Sequence, residues 1–450
     1  MTDTIVGVAT AAGEGGVAIV RMSGEDAAAI FEKAFRPRKR RPPFESHRLM
    51  LGHVLDDNGE TIDEAMGVVM FAPNSYTRED VCEIHTHGGS VAAALVMRRL
   101  VALGARPAEA GEFTRRAFMN GRIDLMQAEA VMGVISAQSQ AALRAEQRQL
   151  QGGQSQFIRD AQDLLTGLLA GLEAHIDYPD EIDEEEALEG LNEGLDRLVV
   201  KLASAIDEKG ARIVREGLHV ALCGRPNAGK STLFNALLGE ERAIVTDIPG
   251  TTRDVLEGSF TLDGVRVILQ DTAGLRESGD AVERIGVERA KTVLEQADAA
   301  LLLVDGSTPL TPDEQALLQM ETTCPCAVLI NKEDAGECVT IAQIEALTRH
   351  RPVFGLSARN GDGLDQVLAY LRGYLKKPQE LLLTHERHMS VARMALERLK
   401  QAQQGLLAEQ PLDLAAVDLH EALYLLGRIT GDSVDEQLLD DIFSRFCVGK

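Results

Sequence analysis

The chain has 450 residues, more than one hydrophobic core usually serves, so two or three domains are expected. Its 46 basic and 70 acidic residues give a formal net charge of −24. That charge disfavours indiscriminate binding to nucleic acid or anionic membranes and restricts any nucleic-acid contact to a local basic patch. No apolar run approaches the roughly 18 residues that a membrane span requires. The six scattered cysteines match neither a disulfide framework nor a zinc site, so reduced thiols are expected.

The N-terminal segment, residues 1–120, is predicted to be an α+β domain. Asp3 lies near its start, and no basic segment precedes an apolar run, so we expect no signal or transit peptide and a cytoplasmic location without membrane association. Gly and Pro separate short β-rich runs at residues 5–9, 16–22, 65–71 and 82–85, and one helix is expected at residues 90–103.

The segment that follows, residues 121–215, has apolar residues at three- and four-residue steps and is predicted to be helical. Pro179, within the acidic run 177–186, is expected to break the helix in a solvated connector. Residues 378–450 are helical again, with one predicted apolar stripe made of Val391, Met394, Ala395, Leu399 and Ala402. We infer one helical domain built from both of these flanks.

Strands and helices alternate between them, over residues 216–377. Strands are predicted at residues 219–223, 299–304, 327–330 and 353–356, with a hairpin over 260–270 that turns on Asp263 and Gly264. This alternation predicts a mostly parallel sheet covered by helices on both faces. The fold class is therefore multidomain α/β plus α, with the α/β domain inserted into the helical one.

Residues 224–231, Gly-Arg-Pro-Asn-Ala-Gly-Lys-Ser, match the phosphate-loop pattern G-x-x-x-x-G-K-[ST]. The loop follows a predicted strand and opens a predicted helix near Thr232, which is the context that this pattern requires. Its backbone N–H groups can surround phosphate oxygens, Lys230 can add a positive charge there, and the Ser231 hydroxyl can bind magnesium. A chance Gly-rich turn is the less favoured interpretation.

Three further motifs follow the phosphate loop in the order expected of a GTPase. Asp271-Thr-Ala-Gly274 follows a predicted strand, so Asp271 can hold magnesium through its ligand shell and the N–H of Gly274 can contact the γ-phosphate. Thr252 is positioned to be the switch threonine that completes this shell. Asn331-Lys332-Glu-Asp334 offers a carboxylate to the two donors of guanine, and Ser357-Ala358-Arg359 offers a backbone contact to the guanine oxygen. Together they predict GTP specificity and a Ras-like P-loop domain.

Leu275 stands where many GTPases carry the glutamine that orients the attacking water, and leucine cannot bond water. Either hydrolysis is feeble or another side chain supplies the missing polar function. Two candidates are Glu283 and Asn227. At its place in the phosphate loop, Asn227 could bind a monovalent cation whose charge acts as an arginine finger does.

The whole sequence resembles the tRNA modification GTPases of the MnmE/TrmE family. The motifs that carry the resemblance are residues 3–6, 15–24, 79–83, 87–89, 111–118 and 124–130, together with the closing Phe446-Cys447-Val-Gly-Lys450. The resemblance implies a homodimer whose N-terminal domain binds a tetrahydrofolate derivative, 5-formyl or 5,10-methylene. It also implies an FAD-dependent partner that forms a hetero-oligomer with the chain. Together the two proteins would add an aminomethyl-type group to carbon five of the tRNA wobble uridine.

The resemblance carries over to matching positions in this chain. Folate contacts would come from Arg21, Glu83, Arg122 and Lys450, and K⁺ ligands from Asn227, Thr246, Ile248 and Thr251. Mg²⁺ would bind Ser231 and Thr252, and the catalytic residues would be Glu283 and Cys447. The full GTP-binding set would be Asn227, Ala228, Gly229, Lys230, Ser231, Thr232, Thr246, Asp247, Ile248, Pro249, Gly250, Thr251, Thr252, Asp271, Thr272, Ala273, Gly274, Asn331, Lys332, Asp334, Ser357, Ala358 and Arg359.

Other interpretations remain open at several points. His85 and His87 resemble a metal pair, but no third ligand is nearby, so a structural or pocket-lining role is favoured. Cys447 could be a buried packing residue rather than a reactive thiol. For the whole chain, the alternatives are a ribosome-assembly GTPase, which should carry a basic RNA-binding appendage, and a GTP-regulated scaffold without chemistry of its own.

Overall fold

The computed structural model describes residues 3–11, 13–39, 43–180, 184–240, 256–271, 293–348 and 351–449. The chain divides into two units that are treated separately below. One consists of Met1–Met132, Gln149–Leu198 and Met394–Lys450, and the other of Gly133–Arg148 and Val199–Arg393.

The first unit contains a seven-stranded sheet. Its strands are β1 (Ile5–Val8), β2 (Val17–Ser23), β3 (Phe35–Pro37), β4 (Met50–Leu55), β5 (Thr61–Met70), β6 (Val81–His87) and β7 (Arg106–Pro107). The order across the sheet is β3-β4-β5-β6-β2-β1-β7, and only β1 and β7 pair in parallel. The five predicted elements of this segment are present, each within a few residues of its expected bounds.

Two helices cover one face of this sheet, α1 (Ala27–Ala34) and α2 (Ser90–Ala102). Side chains alternate between the two faces of a strand, so Val20 and Met22 of β2 enter the core with Phe31 of α1, while Arg21 faces the other way. That opposite face carries exposed apolar residues, among them Leu51 and Met66, which lie opposite each other in register.

The helical segments follow, as predicted for residues 121–215 and 378–450, whereas α3 lies in the N-terminal segment and was not predicted. They are α3 (Glu112–Met119), α4 (Leu125–Ser136), α5 (Gln140–Leu150), α6 (Gly153–Asp177), α7 (Glu184–Ala205), α8 (Glu208–Glu216), and, after the inserted domain, α13 (Glu386–Leu407), α14 (Leu412–Thr430) and α15 (Glu436–Phe443). Helix α6 ends two residues before Pro179, which agrees with the predicted break. Helices α6 and α14 pack against each other through buried Leu and Ala residues. None of the helices that the structure describes could cross a membrane.

One residue of the predicted stripe on α13 was assigned wrongly. Val391, Ala395, Leu399 and Ala402 are buried, but Met394 is 47% exposed. The buried face of this helix is narrower than the predicted apolar stripe. A residue with the right spacing can therefore lie at the edge of that face and remain exposed.

The second unit contains a six-stranded sheet of order β13-β12-β11-β8-β10-β9. Its strands are β8 (Leu218–Gly224), β9 (Leu256–Leu262), β10 (Val265–Asp271), β11 (Ala299–Asp305), β12 (Cys326–Asn331) and β13 (Val353–Gly355). All neighbouring pairs are parallel except the β9–β10 hairpin, which turns on Asp263 and Gly264 with φ of 50° and 82°, as predicted. The accompanying helices are α9 (Lys230–Glu240), α10 (Pro312–Gln319), α11 (Ile341–Thr348) and α12 (Leu364–Arg372).

Candidate functional site

The phosphate loop joins β8 to α9 in a backbone path that glycine makes possible. Gly224 and Gly229 have φ of 154° and 99°. A methyl group on Gly224 would lie 2.5 Å from the carbonyl oxygen of Leu303, and one on Gly229 would lie 2.1 Å from Nδ2 of Asn331. Both glycines are therefore needed for close backbone approach, in addition to their conformational freedom.

Lys230 and Ser231 begin α9. The Lys230 ammonium is buried and donates hydrogen bonds to the carbonyl oxygens of Gly224 at 2.6 Å and Arg225 at 2.9 Å. Ser231 is exposed in the first turn of the helix. A helix N-terminus, where the backbone N–H groups point out of the first turn, beside an ammonium suits an anion such as a phosphate group.

Asn331 connects the phosphate loop to the loop after β13. Its Nδ2 donates to the carbonyl oxygen of Ala228 at 2.8 Å, and its Oδ1 accepts from the backbone N–H of Ala358 at 3.0 Å. The side chain is 2% exposed. The predicted phosphate and base motifs are thus held together by one carboxamide.

Asp334 and Ser357 form the other half of the predicted guanine site. The hydroxyl of Ser357 donates to Oδ1 of the exposed Asp334 at 2.7 Å, which orients the carboxylate. Arg359 lies next to them and is exposed. The structure therefore brings residues 331–334 and 357–359 together with the phosphate loop.

Asp305, at the end of β11, was missed by the sequence reasoning. It accepts a hydrogen bond from the ammonium of Lys332 at 2.7 Å and from the hydroxyl of Ser307 at 2.6 Å. Burial alone would raise the pKa of Asp305, but these bonds and the charge of Lys332 lower it. Asp305 therefore fixes the position of the Lys332 ammonium, and the backbone of Lys332 is left-handed, with φ of 70°.

Asp271 ends β10 and is 2% exposed, opposite Leu222 in register and hence beside the strand that leads into the phosphate loop. Several predicted site residues lie outside the described residues: Thr246, Asp247, Ile248, Pro249, Gly250, Thr251, Thr252, Thr272, Ala273, Gly274 and Glu283, with Leu275.

A second cluster of predicted site residues lies on the N-terminal sheet. Arg21 and Glu83 are cross-strand neighbours, with Nε of Arg21 2.8 Å from Oε1 of Glu83, and His85 bonds the other carboxylate oxygen at 3.0 Å. Burial would raise the pKa of Glu83, but the charge of Arg21 and the hydrogen bonds from His85 and Arg21 outweigh it and lower the pKa. Glu83 is thus held as a carboxylate.

Tyr76 brings Arg122 to this cluster, a contact that the sequence reasoning missed. The Arg122 guanidinium carbon lies 4.8 Å from the Tyr76 ring centroid, and that of Arg21 lies 5.5 Å from it. The Tyr76 hydroxyl is 2.9 Å from Oγ1 of Thr114. One aromatic ring therefore lies within cation–π distance of two guanidinium groups, and one of these, that of Arg21, is paired with Glu83.

The C-terminal tail crosses the same part of the sheet. Val448 forms an antiparallel bridge with Ala110, and a methyl group on Gly449, whose φ is 96°, would lie 2.1 Å from the carbonyl oxygen of Val8. A methyl group on Gly7 would be 3.4 Å from Cα of Gly449, and Gly7 is the register partner of Arg21. The tail thus ends beside Arg21, while Lys450 itself lies outside the described residues.

Cys447 in this tail is exposed, so the alternative of a buried packing cysteine is wrong. Of the other cysteines, Cys82, Cys223, Cys324 and Cys326 are buried and Cys338 is exposed, and none of them forms a disulfide. Burial raises the pKa of Cys326 to about 12, so that thiol stays protonated.

The two-histidine motif does not form a metal site in the described part of the chain. His85 bonds Glu83, and Nδ1 of His87 lies 2.8 Å from Oδ1 of Asp63. Among the described residues, no group of three or more His, Cys, Asp or Glu side chains is arranged to hold a metal ion. The favoured structural interpretation of this pair therefore needs no metal.

Residues of three motifs form an ion network around the buried Arg116. Arg116 is 1% exposed and contacts Asp3 at 2.7 Å, Glu79 at 3.1 Å and Glu112 at 3.0 Å. Arg106 adds a second bond to Glu112, at 2.6 Å. The motifs at residues 3–6, 79–83 and 111–118 are thus connected in space by one charged cluster, which joins α3 to the strands beside it.

Comparison with known proteins covers the chain from end to end. A family model described as the MnmE helical domain matches residues 125–447, and one described as the N-terminus of the GTP-binding protein TrmE matches residues 4–122. The tRNA modification GTPase MnmE of Chloroflexus aurantiacus is 46% identical over 456 residues, covering 100% of both chains. That of Geobacillus kaustophilus is 42% identical over 460 residues, covering 100% of this chain and 99% of the relative. A crystal structure of an Aquifex aeolicus Era variant is 27% identical, covers 40% of this chain and 66% of that chain, and has a TM-score of 0.28, too low to bear on the fold.

Proposed function

Because the chain belongs to the MnmE family of tRNA modification GTPases, we propose that it adds an aminomethyl-type group to carbon five of the tRNA wobble uridine. It is a GTP hydrolase. The one-carbon unit would come from a bound tetrahydrofolate derivative, and an FAD-dependent partner would share the reaction in a hetero-oligomer. The decisive test is nucleoside analysis of tRNA from a strain that lacks this chain: loss of the group is expected, and an unchanged wobble uridine would contradict the proposal.

One observation carries the nucleotide part of this function. Residues 224–231, 331–334 and 357–359 meet at the carboxyl edge of one sheet, where open α/β sheets bind ligands. In GTP hydrolysis, the loop N–H groups and Lys230 would hold the β and γ phosphates, while Asp334 would accept the two guanine donors. Lys230→Ala should abolish tight GTP binding and leave folate binding intact, and loss of both would indicate misfolding instead.

The cation sites are proposals that rest on the donor set. Ser231 is exposed at the start of α9, Asp271 ends the neighbouring strand, and Asn227 presents an exposed carboxamide from a left-handed backbone conformation with φ of 65°. The oxygens of Ser231 and Asp271 suit Mg²⁺, with Thr252 as a further ligand. The oxygen of Asn227 suits K⁺, with Thr246, Ile248 and Thr251 as the other ligands. A bound monovalent cation would add positive charge at the phosphates, as an arginine finger does.

Potassium dependence can be measured directly. Hydrolysis should be faster in KCl than in NaCl, and Asn227→Ala should remove the difference. The effect should be large, because K⁺ would take the place of an arginine finger, which raises the rate of GTP hydrolysis by about 10³- to 10⁵-fold. Pro226→Ala, at the exposed neighbouring residue, is the matched control and should keep the dependence. Equal wild-type rates in the two salts would rule out this role for Asn227.

Glu283 is the proposed substitute for the absent glutamine at position 275. Glu283→Ala should leave GTP affinity nearly unchanged and slow turnover by at least about 10²-fold, the lower range for loss of an acid or base. A nearly normal rate would assign Glu283 to the solvated surface.

The folate proposal is supported by the cluster beside the C-terminal tail. Glu83 can accept hydrogen bonds from pterin N–H groups, Arg21 and Arg122 present guanidinium donors beside the same Tyr76 ring, and the exposed Cys447 lies in the same tail as Gly449. Binding of 5-formyl-tetrahydrofolate by the full chain is the test, because neither a ribosome-assembly GTPase nor a scaffold requires it.

The homodimer and the cytoplasmic location are part of the same proposal. Leu51 and Met66 are 46% and 38% exposed, and they face each other on the adjacent strands β4 and β5. An apolar patch of this kind suits coverage by a second copy. Light scattering of the full chain should give twice the mass of the 450-residue protein, and a monomeric mass at micromolar concentration would contradict the homodimer.

A further inference from the structure

A strongly basic segment lies at one edge of the N-terminal sheet. Residues 31–53 contain seven Lys and Arg residues and two Glu residues, a local charge of +5 in a chain whose net charge is −24. Nothing in the nucleotide site or in the proposed folate cluster uses these charges.

The geometry places three of them at an exposed edge: Arg36 lies in the edge strand β3, and Arg38 and Lys39 follow it directly. Strand β3 is the outermost strand, Arg36 is the register partner of His53, and the N–H of Arg38 bonds the carbonyl oxygen of Leu51, which continues the pairing. Arg36 and Arg38 are two residues apart, so they project from the same face of the sheet, about 6.6 Å from each other along the strand. Both are exposed, as is Lys39.

Acidic neighbours do little to neutralise this surface. Nη1 of Arg38 lies 3.5 Å from Oε1 of Glu64, but the two side chains are 62% and 46% exposed, so the pair is worth little and opens readily. Arg48 bonds Glu45 at 2.6 Å nearby, again with both side chains more than half exposed. The guanidinium groups therefore have donors to offer an external anion.

Edge strands commonly carry charges that prevent edge-to-edge aggregation, and that role alone would need no particular sign or residue type. Two features favour a polyanion instead. Both positions on the same face are arginine, whose planar fork matches phosphate oxygens. An acidic protein that acts on RNA also needs a local basic surface, because its overall field repels the RNA backbone.

We propose that Arg36, Arg38 and Lys39, here called the basic edge, bind the phosphate backbone of the tRNA substrate. This proposal rests on the proposed function, because it assigns a docking surface to the tRNA that the proposed reaction modifies. Contacts of this kind position the RNA without reading its sequence. They should therefore matter alike for different tRNA species and should be sensitive to salt.

The test is the salt dependence of tRNA binding by the full chain, measured by fluorescence anisotropy with an unmodified tRNA transcript. The triple variant Arg36→Ala, Arg38→Ala, Lys39→Ala should bind more weakly, and its plot of log K against log salt should be shallower by about 2 to 3, because each lost phosphate contact accounts for roughly 0.7 to 0.9. The charge-keeping pair Arg36→Lys, Arg38→Lys should retain most of the wild-type slope.

The matched control removes three exposed basic residues from helices of the same unit, as Arg197→Ala, Arg398→Ala, Lys400→Ala, and should keep the slope. GTP hydrolysis and oligomeric mass should be normal in both triples. Equal losses in the two triples, or no loss in the edge triple while the wild type binds tRNA, would overturn the basic edge and leave the proposed function standing. A wild-type chain that binds no tRNA, together with normal wobble uridine in the deletion strain, would overturn both.

Discussion

Asn331 and Ala228 are joined by a hydrogen bond of 2.8 Å, from the side-chain Nδ2 of one to the backbone carbonyl oxygen of the other. The second polar atom of the same carboxamide accepts the N–H of Ala358 at 3.0 Å. A side chain that was assigned to base recognition from its motif therefore also sets the shape of the phosphate loop. Phosphate and base affinity should not be separable at this residue.

Asn331→Ala should lower GTP affinity by at least about tenfold. The substitution leaves the carbonyl of Ala228 and the N–H of Ala358 without their partner in a buried place, at a cost of roughly 1–3 kcal/mol each, and 1.4 kcal/mol corresponds to one factor of ten. GDP and GMP should be weakened as well, since both loops relax. Titration calorimetry measures this, with the exposed Asn360→Ala as the matched control. An effect on GTP but none on GMP would show that the two loops are independent.

Asp334→Asn should change base selectivity while keeping phosphate binding. The carboxylate accepts from two donors of guanine, and an amide would face one of them with its own N–H. Xanthine carries a carbonyl where guanine carries an amino group, so the variant should lose affinity for GTP and gain affinity for XTP. Competition binding with the two nucleotides is the measurement. If the variant still prefers GTP as the wild type does, Asp334 does not contact the base.

The sequence was sufficient to predict elements with a strong local pattern. The strand before Gly224 and the hairpin at Asp263 and Gly264 are confirmed, because alternation, apolar runs and turn residues are all local signals. Strand β3 was missed, since Phe35–Pro37 is short, contains a proline that an edge position tolerates, and takes its conformation from pairing with β4.

The candidate site shows the same limit. The phosphate and guanine motifs could be found because their residues are close in sequence, whereas Asp305 and Tyr76 could not, because they act through contacts with distant residues. The approach of Gly449 to Val8 joins the two ends of the chain and leaves no periodic pattern at either end. Only the glycines at positions 7 and 449 hinted at it, and a glycine has many other uses.

Arg116→Met should destabilise the N-terminal domain by about 3 kcal/mol, because the buried Glu112 and the partly buried Glu79 lose the cation that contacts both, although Glu112 keeps Arg106. Arg115→Met, at the neighbouring residue whose ion pairs are with exposed Asp440 and Glu436, should cost less than about 1 kcal/mol. Urea unfolding at neutral pH gives both values. Equal small losses would mean that Glu79 and Glu112 find other partners.

The same network predicts a pH dependence. Hydrogen bonds from Arg106 and then Arg116 outweigh burial and lower the pKa of Asp3 below its ordinary 3.8. Burial would raise the pKa of Glu112, but Arg106, the N–H of Glu109 and Arg116 lower it below 4.5. Carboxyl groups with a lowered pKa stabilise the fold fully above their unfolded values and lose that effect as the pH falls through the folded ones. Wild-type stability should therefore decline below about pH 4.5, and Arg116→Met should flatten that decline.

Gly449→Ala should displace the C-terminal tail without unfolding the sheet. The added methyl group would lie 2.1 Å from the Val8 carbonyl oxygen, in a backbone conformation with φ of 96° that alanine rarely adopts. Affinity for 5-formyl-tetrahydrofolate and wobble-uridine modification should both fall, while GTP hydrolysis stays near the wild-type rate. Gly59→Ala, at a left-handed glycine whose added methyl group meets no atom within 4 Å, controls for backbone strain alone. Unchanged folate affinity would separate the tail from the folate cluster.

Cys447→Ser tests chemistry rather than position. Serine keeps the size of the side chain but is a far weaker nucleophile than a thiolate, and Cys447 is exposed, so packing should not change. Folding, dimerisation, GTP hydrolysis and folate binding should stay close to wild type, whereas wobble-uridine modification with the flavin partner should drop strongly. Cys338→Ser, at the other exposed thiol, should modify tRNA normally. A normal rate for Cys447→Ser would remove any essential covalent role from this thiol, and the one-carbon chemistry would then belong to the partner.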